Sequence, residues 1–175
     1  MDHRHIYKSA TTAQHAVRDV LTTLFVREML VPSKTLFLVE PWISNIVIID
    51  NRDGTFDALN PEWGRREVRL TEILASLAAS GVKIYIVIRP ESHNRWFLEK
   101  LDEALSDAGV HEQCQVHELA ELHTKGILSD RAALIGSMNL TENGVSFNDE
   151  YVHVAFDKQT ISDARVHFDT YLSPK

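Results

Sequence analysis

Cysteine occurs once in the 175 residues, at Cys114, so no intrachain disulfide and no thiolate metal cluster can form. That usage suits a reducing cytoplasm, and neither a metal nor a cofactor is expected. Long apolar runs are missing too. No stretch approaches the roughly 18 residues that a membrane span needs. The opening MDHRHIYKSATTAQHAV has no apolar core of an export signal, so no signal peptide is read there and no membrane is expected as a partner. Positive charge is scarce, with 18 Lys and Arg against 25 Asp and Glu and a net charge of −7. This balance argues against broad, non-specific binding of DNA or anionic membrane. Any nucleic-acid contact is then confined to a narrow groove, or a partner protein delivers the substrate. No linker, low-complexity tract or internal repeat breaks the chain.

The remaining composition, 44% hydrophobic and 25% charged, is that of an ordinary globular protein. A single domain over 1–175 is expected, and a chain of this size buries roughly 70% of its unfolded surface. Helical spacing of Ala13, Ala16, Val17, Val20, Leu21, Leu24 and Phe25 predicts a helix over Thr11–Leu30, with Thr11 or Thr12 as N-cap. Thr35–Glu40 and Asn45–Asp50 read as strands, and Thr55–Arg66 as an exposed connection. The segment from Ile43 to Glu67 is longer than a minimal strand-to-helix link and suits a specificity loop or an interface. Glu67–Ala79 reads as a helix closed by Gly81, followed by the β-branched strand Lys83–Arg89 and a helix over Asn94–Ala108. Strands follow around Gln115–His117, Leu122–Leu128, Ala132–Ile135 and Glu150–Phe156, then a helix over Ser162–Tyr171. Strands and helices alternate early and strands cluster late. This order predicts an α/β fold with a mixed β-sheet flanked by helices on both faces.

The informative segment is Leu122–Glu150, LHTKGILSDRAALIGSMNLTENGVSFNDE. On a strand, residues two apart face the same way, so His123 and Lys125 project together. Gly136 allows a tight turn, with Ser137 and Asn139 at its mouth and Asn148 and Glu150 close behind. An imidazole, an ammonium, amides and a hydroxyl converging on one spot suit a tetrahedral anion. Histidine serves as nucleophile or proton donor near neutral pH, its ordinary pKa being about 6.5. Lysine and asparagine hold phosphoryl oxygens as charge develops on them. A nearby carboxylate would fix the imidazole tautomer.

His-x-Lys alone is a weak signal, since nine histidines and seven lysines give roughly 0.4 chance occurrences per chain. With Asp130, Gly136, Ser137 and Asn139 in step behind it and Glu150 trailing, the segment resembles the HKD motif of the phospholipase D superfamily, H-x-K-x4-D-x5-G-S-x-N. The resemblance implies the phospholipase D-like fold and a metal-independent phosphodiesterase or phosphatidyl transferase working through a phosphohistidine. One histidine would attack phosphorus, and a second, from another copy of the motif, would protonate the leaving oxygen. It assigns His123, Lys125 and Asn139 to catalysis, Ser137 to orienting Lys125, Glu150 to the trailing acidic position and Asp130 to a weaker, structural place in the set. Only one copy of the motif is present, so the resemblance implies a homodimer in which His123 faces its symmetry mate. It points to the small single-motif bacterial nucleases, which cleave DNA or RNA, with DNA favoured over RNA as the nucleic-acid partner. It also extends to phospholipase D-like proteins of bacterial DNA-modification and phage-defence clusters, whose other components would be partners. A phospholipid or small-molecule phosphodiesterase and a non-catalytic nucleic-acid-binding scaffold are the alternatives.

Around this motif, Trp42, Arg89, His93, Arg95 and Asn148 are candidate substrate-binding residues. Arg89 and His93 follow a strand whose carboxyl end is where ligands gather in open α/β sheets. Trp42 ends a strand beside the expected cleft and suits stacking on a base. His3 and His5 are placed at a mobile terminus and His15 and His167 on helix surfaces. His111, His117 and His153 have no partner at metal-ligand spacing.

Overall fold

The computed structural model describes residues 2–9, 11–13 and 15–173. In chain order its strands are β1 (His3–Lys8), β2 (Thr35–Val39), β3 (Val47–Asp50) and β4 (Glu67–Arg69), then β5 (Lys83–Ile88) and β6 (Cys114–Glu118). Three more follow: β7 (Gly126–Leu128), β8 (Ala133–Gly136) and β9 (Glu150–Ala155). The helices are α1 (Ala16–Leu30), α2 (Leu70–Ala79), α3 (Ser92–Asp107) and α4 (Lys158–Asp169).

A seven-stranded sheet runs in the order β1-β9-β8-β7-β2-β5-β6, and β3 and β4 pair apart as a two-stranded ribbon. β2, β5 and β6 are parallel; from β2 through β7, β8 and β9 to β1 every neighbour is antiparallel. The carboxyl ends of β1, β2, β5, β6 and β8 therefore share one edge with the amino ends of β7 and β9. The motif segment is delivered to this edge.

The predicted mixed sheet with helices on both faces is what forms. Leu36, Leu38, Ile84 and Ile86 point to one side, where α1, α2 and α3 bring Val17, Leu21, Phe25, Ile73, Leu74, Phe97 and Leu101. Phe37, Val39, Val87 and Leu128 point to the other, against Ile161, Ala164 and Phe168 of α4. Strands covered on both faces lose the polar alternation, which is why TLFLV and KIYIVI read as near-continuous apolar runs. Phe168 is 1% exposed, and burying such a ring contributes about 1.5–3 kcal/mol.

Local readings depart from this frame where a tertiary partner decides. β1 forms where the sequence predicts a mobile terminus: His3 and His5 both pair in register with β9. Only Ile6 is a buried apolar residue in that strand, and an edge strand needs little more. Thr11 and Thr12 do not cap α1, which starts at Ala16 after His15. Glu67–Arg69 is strand rather than helix because β3 supplies its ladder. The connection before it is packed, not simply exposed. Asn51 is fully buried and its amide donates to Asp57 Oδ1 and Gly64 O, both at 2.8 Å. Trp63 closes the connection at 5% exposure.

Candidate active site

β7 is shorter than predicted, and that shortening builds the site. Its ladder begins at Gly126, opposite Val39 and Ile135, so Leu122–Lys125 extends past the sheet edge. Leu122 anchors the extension: its side chain is buried and Arg89 Nε donates to its carbonyl at 2.6 Å. His123 and Lys125 do come together. Lys125 Nζ lies 3.0 Å from His123 Nδ1 and donates to His123 O at 2.8 Å. An ammonium can only donate, so Nδ1 is the acceptor and a neutral ring carries its proton on Nε2. The histidine thus faces Lys125, not the carboxylate that was expected to orient it.

The turn after β8 supplies the amide and the hydroxyl. Gly136 pairs with Val152, and a Cβ there would sit 2.1 Å from Tyr151 O, so glycine is required by the approach of β9. Ser137 Oγ donates to Glu150 Oε2 at 2.5 Å and accepts from Tyr151 N at 3.0 Å. This corrects the expectation that Ser137 orients Lys125: it holds Glu150. Asn148 Nδ2 donates to the other Glu150 oxygen at 3.3 Å. Asn139 follows on the same turn, with Oδ1 buried and without a partner among the described residues. A π-helical turn, Asn143–Phe147, presses Gly144 on that segment; a Cβ on Gly144 would lie 2.2 Å from Asn139 O.

Two charged groups that the sequence reading passed over complete the floor. Glu40, one residue beyond β2, is fully buried and accepts from Leu140 N at 3.0 Å. Burial pushes its carboxyl well above the ordinary carboxylate range, against the opposing pull of Leu140 N and Lys125 and with a further push from Glu150. Lys8 ends β1, 3% exposed, and donates to Asn148 O at 2.5 Å. A charge closing an apolar run (TLFLVE) and an alternating HRHIYK were the available signals. Burial also lowers the pKa of Lys125, as does Arg89, while Glu40 and Glu150 raise it.

Of the candidate binding residues, Arg89 and Trp42 join this edge: the guanidinium carbon lies 5.2 Å from the Trp42 ring centroid. Asn94 Nδ2 holds Pro41 O at 3.0 Å and its Oδ1 accepts from Ile43 N at 2.9 Å, pinning the Trp42 loop to α3. His93 Nε2 lies 2.9 Å from Ser44 Oγ on that loop. Arg95 stands exposed on the first turn of α3.

Asp130 is not brought to the site. It lies in the β7–β8 turn, at the opposite end of the sheet from His123. Its carboxylate accepts from Lys34 N at 2.7 Å, Thr35 Oγ1 at 3.2 Å and Arg165 Nη2 at 3.0 Å. Those contacts tie β2, the turn and α4 together, which is the structural place and not a catalytic one. Burial pushes the Cys114 thiol up to about 12, away from the thiolate form.

The family model described as "Cardiolipin synthase, PLD-like domain" matches residues 47–172. No curated protein matches the sequence. Among solved structures, NucT from Helicobacter pylori is similar with a TM-score of 0.64 at 16% identity, over 98% of this chain and 96% of its own. Nuc from Salmonella typhimurium, a phospholipase D family member, gives 0.59 at 15% identity, over 97% and 93%. Polyphosphate kinase from Porphyromonas gingivalis gives 0.65 at 13% identity, over 99% of this chain but 26% of that one.

Proposed function

Because the chain belongs to the phospholipase D-like domain family, matched over residues 47–172, we propose that it is a phosphodiesterase, a homodimeric nuclease acting on DNA. The observation that carries this reading is the gathering of His123, Lys125, Ser137, Asn139 and Glu150 at one sheet edge, with Arg89 and Trp42 beside them. In this mechanism Lys125 turns from His123 to the phosphoryl oxygen, and the neutral ring attacks phosphorus through Nδ1, the nitrogen without the proton; the P–N bond forms and the P–O bond to the leaving strand breaks. The leaving oxygen takes its proton from His123 of a second copy. Water then attacks the phosphorus, giving a proton to the His123 of the second copy that the first step left neutral, and the P–N bond breaks to free the ring. Lys125 and the Asn139 amide meet the charge growing on the phosphoryl oxygens.

Each chain brings one His123, so a two-histidine reaction needs an isologous pair joined at this edge. Nucleic acid is favoured over lipid because Trp42 offers a stacking face and Arg89 a second cation beside Lys125. Among the described residues no helix is long and apolar enough to cross a membrane. The similarity to NucT and Nuc supports a nuclease, and the resemblance to proteins of DNA-modification and phage-defence clusters suggests such a setting, in the cytoplasm.

The test is cleavage of labelled single- and double-stranded DNA and RNA in excess EDTA, with wild type and His123→Ala side by side. Wild type cleaves with a bell-shaped pH profile, one histidine neutral and its partner protonated, and His123→Ala does not cleave. A folded dimer that cleaves no nucleic acid refutes the nuclease. Turnover of a lipid or small phosphodiester instead would redirect the substrate class, and no turnover at all would leave a scaffold.

A further inference from the structure

Glu40 is out of place by every rule that governs a simple structural residue. It is fully buried, and its backbone N–H donates to Val87 O at 2.8 Å, which locks it to β5. Oε2 accepts from Leu140 N at 3.0 Å, but Oε1 is buried without a partner among the described residues. A carboxylate in that position carries a full charge with half its acceptor capacity unmet, which burial makes costly. A carboxylic acid carries no such charge, and its neutral hydroxyl on Oε1 costs less to bury than an ionised oxygen there. The charged groups that act on it are Lys125, ahead of β7, and Glu150, at the start of β9; Arg89, after β5, acts on Lys125 in turn.

The Lys125 ammonium is directed to His123 O and Nδ1. An ionised Glu40 would compete with those contacts and spend the charge of the lysine on an internal ion pair. A neutral Glu40 leaves that charge for a ligand. The same side chain holds the Gly136–Leu140 turn down, since Ile43 and Leu140 form a bridge beside it and Ser44 N donates to Leu140 O at 2.9 Å. Asn139 is the residue between Met138, which is 2% exposed, and the Leu140 amide that Glu40 grips.

We propose that Glu40 is a positioning residue kept as a neutral acid, which clamps the Asn139 turn through Leu140 N while leaving the Lys125 charge free for a phosphoryl group. The inference rests on reading His123 and Lys125 as the phosphate site.

Glu40→Gln keeps the shape, the acceptor for Leu140 N and a donor where the acid proton stands. Its kcat stays within about threefold of wild type, while Glu40→Ala loses roughly 30- to 100-fold in kcat because the turn is no longer held. The carboxyl carbon of Glu40, followed by NMR in wild type, reads protonated at pH 7 whether or not any substrate is cleaved. Inorganic phosphate shifts the resonances of Lys125 in wild type and Glu40→Gln, and weakly in Glu40→Ala; thermal melts confirm that each variant is folded. An ionised Glu40 at pH 7, or Glu40→Gln falling as far as Glu40→Ala, overturns the proposal. Wild type that cleaves nothing while Glu40 reads protonated refutes the phosphodiesterase reading instead.

Discussion

Replacing Gly136 by alanine isolates the one backbone approach on which the site depends. A Cβ at this position meets Tyr151 O at 2.1 Å and Val152 Cα at 3.1 Å. Both are main-chain atoms of β9, so no side-chain rotation can relieve the overlap. The strands must part by roughly 1.3 Å to restore ordinary van der Waals contact. The same Tyr151 O accepts from Ser137 N at 3.0 Å, so the parting strains that hydrogen bond too. Overpacking of this kind costs about 2–3 kcal/mol, and each kcal/mol lowers the melting temperature of a domain this size by about 2–4 °C. A fall of about 4–12 °C follows in a thermal melt. Activity falls further than stability, because Ser137 and Asn139 ride on the displaced turn and a 1 Å misplacement can cost about 100-fold. Calorimetry and cleavage assays on Gly136→Ala check both numbers. A variant that melts within 1 °C or so of wild type would show that β9 yields freely and that the turn is not held by packing.

Lys125→Met, which keeps the stem and removes the charge, reduces kcat by about 100- to 1,000-fold in a cleavage assay. Because burial depresses the Lys125 pKa, binding of inorganic phosphate weakens on the alkaline side at a lower pH than an ordinary lysine, near about 10.4, would give. The sign follows from the ammonium being the binding form, and phosphate affinity still level at about pH 10 would contradict it. Asp130→Ala releases Lys34 N, Thr35 and Arg165 at the far end of the sheet and lowers stability by about 1–2 kcal/mol, the groups being partly exposed. Its kcat stays at the wild-type value, and a large loss of kcat in the folded variant would return Asp130 to the site. Trp42→Ala removes the stacking face beside Arg89 and raises KM for nucleic acid by about 5- to 150-fold, at about 1–3 kcal/mol per base. Equal KM values in steady-state kinetics would remove Trp42 from the binding surface.

Much of this site was legible before any coordinates, for a chemical reason. Side chains that meet at one point must follow a fixed order along two adjacent strands and the turn beyond them. That order leaves a spaced pattern in the chain, and His123, Lys125, Ser137, Asn139 and Glu150 are found together at the edge the pattern implied. What the pattern did not carry was direction. Glu150 could orient His123 or hold Ser137, and only the register of β9 against β8 selects Ser137. Asp130 sits in the same motif, yet the antiparallel return of β8 places it at the other end of the sheet.

The buried charges were harder to see. Glu40 and Lys8 look like solvated ends of strands, and their burial depends on neighbours remote in the chain, Leu140 and Asn148. β1 and β4 were missed on the same grounds, since each is a short polar stretch that becomes a strand only because β9 or β3 offers it a ladder.

The amino-acid sequence by itself determined the α/β class, the two apolar central strands, the four helices and the chemical set at the motif, because these follow from local periodicity and spacing. The tertiary structure alone decided which strand ends meet, which carboxylate bonds which hydroxyl, and which charges lie out of reach of water. Those depend on strand order and register, where one step along a ladder turns every side chain to the opposite face.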